Sequence, residues 1–108
     1  MSALDPYLSE VETPLRREID AWVGPTLLEF GTPWCGHCRA AQPLINSVLA
    51  MNPQWRHLKV EDGSGRALGR SFGVRLWPTL VLIEQGQVLG QWVRPTSAVS
   101  IQFPVSKD

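Results

Sequence analysis

Thr26-Leu27-Leu28-Glu29-Phe30-Gly31-Thr32-Pro33-Trp34-Cys35-Gly36-His37-Cys38-Arg39 is the stretch whose reading decides the fold. Its first five residues form an apolar run of strand length, broken only by Glu29. Beyond Arg39, the residues Ala41, Leu44, Ile45, Val48 and Leu49 recur at i, i+3, i+4, i+7 and i+8, the spacing of one helix face. Cys35 and Cys38, the only cysteines in the chain, stand where strand gives way to helix. Two thiols three positions apart in the first turn of a helix lie on one side of it, within reach of a disulfide. Unpaired amides and partial positive charge at a helix N-terminus favour thiolate over thiol, and the thiolate is the species that attacks disulfides. The local chemistry points to reversible thiol–disulfide exchange.

Working outward, Pro43 falls inside the helical pattern and is expected to kink it, and Asn52-Pro53 closes the segment. His57-Leu58-Lys59-Val60 reads as a short strand. Ala67, Leu68 and Phe72 suggest a short helix that Gly73 ends. Thr79–Ile83 is a second buried strand, turned by Glu84-Gln85-Gly86-Gln87 into Val88–Val93 to make a hairpin. Upstream, Thr13 is a suitable N-cap with Pro14 at the first helical position, and Leu15, Ile19 and Trp22 share the inward face. Gly24-Pro25 ends that helix. Residues 1–13 have no clear period, and Leu4-Asp5-Pro6-Tyr7-Leu8 holds a proline and no β-branched run, so an irregular start is expected there. Thr96 caps a weak last helix through Ala98, Val99 and Phe103, cut short by Pro104. This element order is that of an α/β sandwich, with a right-handed crossover from Thr26–Phe30 to His57–Val60.

Trp34-Cys35-Gly36-His37-Cys38 after a buried strand resembles the active site of the thioredoxin superfamily, and the Gly-His pair resembles the variant of protein disulfide isomerases. Glu29, six residues before Cys35, falls where that family keeps a buried acid. Pro43 matches its helix kink, Trp77-Pro78-Thr79 its cis-proline loop, and Gly86 the turn of its last hairpin. The resemblance runs from about Pro25 to about Val93, and the set in this order is far more specific than a lone Cys-x-x-Cys. It implies the thioredoxin fold, a mixed central sheet of four or five strands with helices on both faces, as a single domain over residues 1–108. It also implies a protein dithiol–disulfide oxidoreductase. Cys35 attacks, Cys38 resolves, and Glu29 accepts the Cys38 proton, through water. His37 favours the thiolate of Cys35 and hence the reduced form. Lys59 lies close to the acid on the neighbouring strand. Trp34, Trp77 and Pro78 bind substrate, with the Trp77 backbone open to an extended chain. Arg94 departs from the glycine usual in that groove. Disulfide-containing proteins are the implied partners of a monomer, with a flavoprotein reductase or a glutathione system to recycle it. The Cys35–Cys38 disulfide is the implied redox centre, and no other cofactor is expected.

Composition sets the outer bounds. At 108 residues the chain supports one small core, and 44% apolar with 19% charged residues is ordinary globular usage. Ten basic and ten acidic residues cancel, so no global field favours nucleic acid or an anionic membrane. Arg66, Arg70 and Arg75, with no acid between Gly63 and Ile83, form either a solvated face or a positive rim. The first residues lack a basic n-region and an apolar h-region, and no run approaches a membrane span, so a cytoplasmic setting is expected. In that setting a cysteine pair is more often catalytic, redox-sensing or metal-binding than structural.

Other readings of the same residues exist. Taken without the resemblance, Glu29 is a solvent-facing acid at a strand end, Lys59 a surface lysine, and Trp34 and Trp77 packing aromatics. A redox-inactive binding or chaperone module could use the fold alone, but it has no need of the cysteine pair, Glu29 and Pro78 together. Cys35, Cys38, His37 and a remote His57 do not match the spacing of a closed zinc site. Haem attachment requires Cys-x-x-Cys-His, and Arg39 follows Cys38 here.

Overall fold

A computed structural model describes residues 7–97 and 101. Among these, the elements run α1 (Arg16–Asp20), β1 (Pro25–Gly31), α2 (Gly36–Met51), β2 (Arg56–Glu61), α3 (Ala67–Ser71), β3 (Thr79–Glu84) and β4 (Gln87–Val93). The strands order as β2-β1-β3-β4, with β1 parallel to β2 and antiparallel to β3, and β3 antiparallel to β4. The sheet is therefore mixed and four-stranded. A trace of a fifth strand survives as one parallel bridge from Leu8 to Val60. Leu8 N–H donates to the Lys59 carbonyl at 2.7 Å, and Glu61 N–H to the Leu8 carbonyl at 3.0 Å.

Strand β1 is buried from Thr26 to Gly31, as a central strand covered on both faces must be. Its side chains alternate between two cores. Leu28 and Phe30 join Ile19, Val60, Leu68, Phe72, Val81 and Ile83 on the side of α1 and α3. Leu27 joins Ala41, Ile45, Val48, Leu80, Leu82 and Ile101 on the side of α2. The period of two thus places Glu29 beside Leu27, under α2. Its partner in register on β2 is Lys59, while His57 lies opposite Leu27 on the same face.

Helix α2 keeps the face read from its spacing, with Ala41, Ile45 and Val48 buried, and it runs through Pro43 to its C-cap at Asn52. The hairpin turns at Gln85 and Gly86, both at positive φ (50° and 79°), the pair of dihedrals a two-residue turn of this hand needs. Helix α3 stops as expected at Gly73, whose φ is 72°.

Two local expectations fail at the start of the chain. The first helix begins at Arg16, not at Pro14, with Leu15 as its N-cap, and it ends at Asp20 with Ala21 as its C-cap, short of Gly24-Pro25, so Trp22 lies beyond it. Thr13 spends its hydroxyl on the Ser9 carbonyl at 2.7 Å, so it caps no helix, and Glu18 instead takes the Leu15 N–H at 2.8 Å. Leu15 in consequence turns to solvent, 52% exposed, leaving Ile19 buried and Trp22 packed at the core edge. The helix expected from Thr96 lies almost wholly outside the described residues. Of Arg66, Arg70 and Arg75, read as either a solvated face or a positive rim, Arg66 pairs with Glu61 at 3.1 Å and Glu10 at 3.8 Å.

Candidate active site

Strand β1 ends at Gly31, and Thr32-Pro33-Trp34 carries the chain to the mouth of α2. Cys35 is the N-cap of that helix, in extended backbone, and its Sγ accepts the Cys38 backbone N–H at 3.2 Å. A sulfur here takes the place of the serine or aspartate oxygen that usually satisfies such an amide. Both thiols are free. Cys35 retains 8% exposure and Cys38 1%, so the expected order of access holds although both count as buried. Burial and a hydrogen bond with Cys35 push the Cys38 thiol up to about 12.

Beneath Cys38 lies a group of buried polar side chains. Glu29 is fully inaccessible. Its Oε1 accepts from His57 Nε2 at 2.9 Å, and its Oε2 accepts from Gln42 Nε2 at 2.6 Å and from the Tyr7 hydroxyl at 3.4 Å. Gln42 also donates to the Cys38 carbonyl, and its Oε1 accepts from Lys59 Nζ at 3.3 Å. The Lys59 ammonium sits 4.5 Å from the centre of the Tyr7 ring. Glu29 is therefore a partnered acid, not a solvent-facing one, and Lys59 (3% exposed) is no surface lysine. Buried charge is tolerable only when its lone pairs are met, and here three side chains, His57, Gln42 and Tyr7, share that task.

Gly31 leaves room for this arrangement. A Cβ built on it would stand 2.5 Å from Cys38 Sγ and 3.1 Å from the Tyr7 hydroxyl. The close approach of those two groups to β1 requires a residue without a side chain.

Around the thiols the surface is aromatic. Trp34 is 70% exposed and meets Trp77 edge-on, ring centres 5.7 Å apart. The Trp77 indole N–H donates to Asp62 Oδ2 at 2.9 Å, and the Trp77–Pro78 peptide is cis. Pro78, His37, Ala41, Leu44 and Arg94 line a groove of about 450 Å³ beside the helix mouth. His37 is exposed on the first turn of α2. Of the Trp77 main-chain groups expected to meet substrate, the carbonyl already accepts from Arg94 Nε at 2.8 Å.

The sequence reading brought Cys35, Cys38, Glu29, His37, Lys59, Trp34, Trp77 and Pro78 to this end of the molecule and missed Tyr7, Gln42 and His57. His57 is not remote, for it stands two residues before Lys59 on β2 and so shares its face. Gln42 carried a signal too, as a polar residue one turn after Cys38. Tyr7, in an irregular segment, carried none.

The thioredoxin family model matches residues 8–105. Thioredoxin 2 of Pseudomonas aeruginosa PAO1, solved in its reduced form, is 52% identical and superposes with a TM-score of 0.76 over 89% of this chain and 87% of that chain. Protein disulfide-isomerase erp38 of Neurospora crassa is 40% identical over 60 residues, which is 52% of this chain and 16% of its own length. The thioredoxin of Haemophilus influenzae is 36% identical over 73 residues, 64% of this chain and 65% of its own. The alignments thus span less than two thirds of either of these two relatives. With the family model matched over residues 8–105 and a cysteine pair at the mouth of a helix on a four-stranded mixed sheet, this chain belongs to the thioredoxin family.

Proposed function

We propose that this chain reduces disulfides in proteins, with Cys35 as the attacking sulfur and Cys38 as the resolving one. The observation that carries the reading is the place of Cys35, an N-cap sulfur facing the amides of α2 while Cys38 sits one turn deeper over a carboxylate. The thiolate of Cys35 attacks one sulfur of the substrate disulfide, and the other leaves as a thiolate that takes up a proton. Cys38 then loses its proton towards Glu29 and attacks Cys35 Sγ, releasing the second substrate thiol. Two electrons have passed to the substrate, and a Cys35–Cys38 disulfide remains for a flavoprotein reductase or a glutathione system to reduce.

A Cys38 thiol pushed up to about 12 does not ionise unaided near neutrality, which is why the resolving step needs an acceptor. Lys59, through Gln42, keeps positive charge near the carboxylate. His37, as cation or donor, favours the reduced state of the Cys-Gly-His-Cys pair, and so raises its potential above that of a Gly-Pro version. Trp34, Trp77 and Pro78 form the apolar lip over which a substrate segment lies. The protein acts as a cytoplasmic monomer.

Reduction of insulin by dithiothreitol, followed by turbidity, tests the reading. The wild-type chain is expected to accelerate it and Cys35→Ser to abolish that acceleration. A Cys35→Ser protein as active as wild type sinks the assignment and leaves a binding module.

A further inference from the structure

The acid read from the sequence needed a bridge to Cys38, and water was the expected one. The structure offers a side chain. The Tyr7 hydroxyl donates to Glu29 Oε2 at 3.4 Å, and Tyr7 and Cys38 stand close enough that each shifts the other's titration. An added Cβ on Gly31 would touch Cys38 Sγ and the Tyr7 hydroxyl together, which places the two groups against the same point of β1.

We infer that Tyr7 is a catalytic residue, carrying the proton from Cys38 to Glu29 in the resolving step, an inference that rests on the exchange chemistry proposed above. As Cys38 attacks Cys35 Sγ, its S–H proton passes to the Tyr7 oxygen and the phenolic proton passes to Glu29 Oε2. The Cys35–Cys38 bond forms, the bond to the substrate sulfur breaks, and that sulfur leaves with the electron pair. Tyr7 ends neutral and turned about, its hydroxyl now donating to the sulfur side and accepting from the carboxylic acid. No oxidant beyond the substrate disulfide is consumed.

Three features suit the residue to this role. A hydroxyl oxygen can take up one proton as it gives up another, with no net charge before or after. Burial, with Glu29 and Cys38 close by, raises the phenol's pKa far above its ordinary value, so Tyr7 conducts a proton and does not stay ionised. Its place is fixed from two sides, by the Leu8 bridge that ties the segment to β2 and by the Lys59 ammonium over its ring. The remnant of a fifth strand is thus the element that delivers Tyr7. His57 holds the other carboxylate oxygen, Oε1, while Gln42 shares Oε2 with Tyr7, so the carboxylate is fixed with Oε2 towards Tyr7. The 3.4 Å separation is long for a hydroxyl donor, as catalytic contacts often are before substrate binds.

The test is rapid mixing of reduced protein with oxidised insulin, quenched in acid to count mixed disulfide and product. In Tyr7→Phe, which keeps the ring under Lys59, the mixed disulfide is expected to form at the wild-type rate and resolve at least about tenfold more slowly. Combining Tyr7→Phe with Glu29→Gln is expected to be no slower than Glu29→Gln alone. Wild-type resolution by Tyr7→Phe, or multiplied losses in the double variant, would overturn the inference while leaving the exchange chemistry intact. Failure of the wild-type chain to form any mixed disulfide overturns both. Should Tyr7→Phe not fold, the wild-type resolving step measured across mixtures of light and heavy water still decides. Two protons in flight give a curved dependence, and a linear one refutes the relay.

Discussion

Arg94 Nε donates to the carbonyl oxygen of Trp77 at 2.8 Å, and in doing so occupies a main-chain acceptor at the rim of the groove beside Cys35. Arg94 also holds φ at 48°, a left-handed conformation that costs an L-residue about 1–2 kcal/mol and costs glycine nothing. An extended substrate pairing with the Trp77 carbonyl competes with the guanidinium for it. Arg94→Gly is therefore expected to raise kcat/KM for a protein disulfide severalfold and to leave the reaction with a small aromatic disulfide unchanged. Equal effects on both substrates would show that the arginine does not compete for the backbone.

His37 occupies the second position of α2, where the backbone N–H has no partner within the helix and proline is tolerated. Replacing it by proline removes a donor beside the thiolate without breaking the fold. His37→Pro is expected to shift the dithiol–disulfide equilibrium towards disulfide by on the order of tenfold, equivalent to about 30 mV for two electrons. Redox titration against glutathione measures this directly, and an unchanged or higher potential would refute the role given to His37.

His57 and Glu29 are buried together, 3% and 0% exposed at their side chains, and bonded at 2.9 Å. Removing the imidazole strands one carboxylate oxygen away from water. His57→Leu is expected to lose about 1–3 kcal/mol of stability in urea denaturation. In a Glu29→Leu background the same change should cost much less, because nothing then remains to satisfy. Additive losses would mean that the pair is not coupled.

Cys38 predicts how stability responds to alkali. Its thiol is pushed up from 9.0 to about 12 by burial first and by its hydrogen bond to Cys35 second. The unfolded chain therefore releases this proton before the folded one does. The native state keeps its full advantage below about pH 9 and loses it as pH rises towards 12, with Tyr7 adding a loss of the same sign above its ordinary range. Denaturation midpoints of the reduced protein should fall more steeply over that window than those of Cys38→Ala. Parallel curves would contradict the burial of the thiol.

Much of the architecture was legible from short-range pattern. The near-continuous apolar run Thr26–Phe30 marks a strand covered on both faces, the 3.6-residue recurrence from Ala41 to Leu49 reports which side of the helix meets the core, and the cores lie where they point. Glycines at positions 73 and 86 announced positive φ because few other residues accept it cheaply. The start of α1 was misread because Thr13-Pro14 has the composition of a cap, whereas the hydroxyl found a nearer acceptor in Ser9.

Sequence alone determined that two thiols sit at the mouth of a helix behind a buried strand, since spacing along one element fixes which atoms share its face. It also marked Glu29 and Lys59, on two different strands, by their positions relative to that motif. Only the tertiary structure decided what surrounds the acid. Parallel register sets Lys59 opposite Glu29 and brings His57 to the same face, helix α2 lowers Gln42 onto it, and one bridge at Leu8 carries Tyr7 in from a segment with no pattern of its own. The hydrogen bonds to Glu29 join residues 13 to 28 positions apart, and a distance of that kind is written in the packing of sheet against helix, not in any local period.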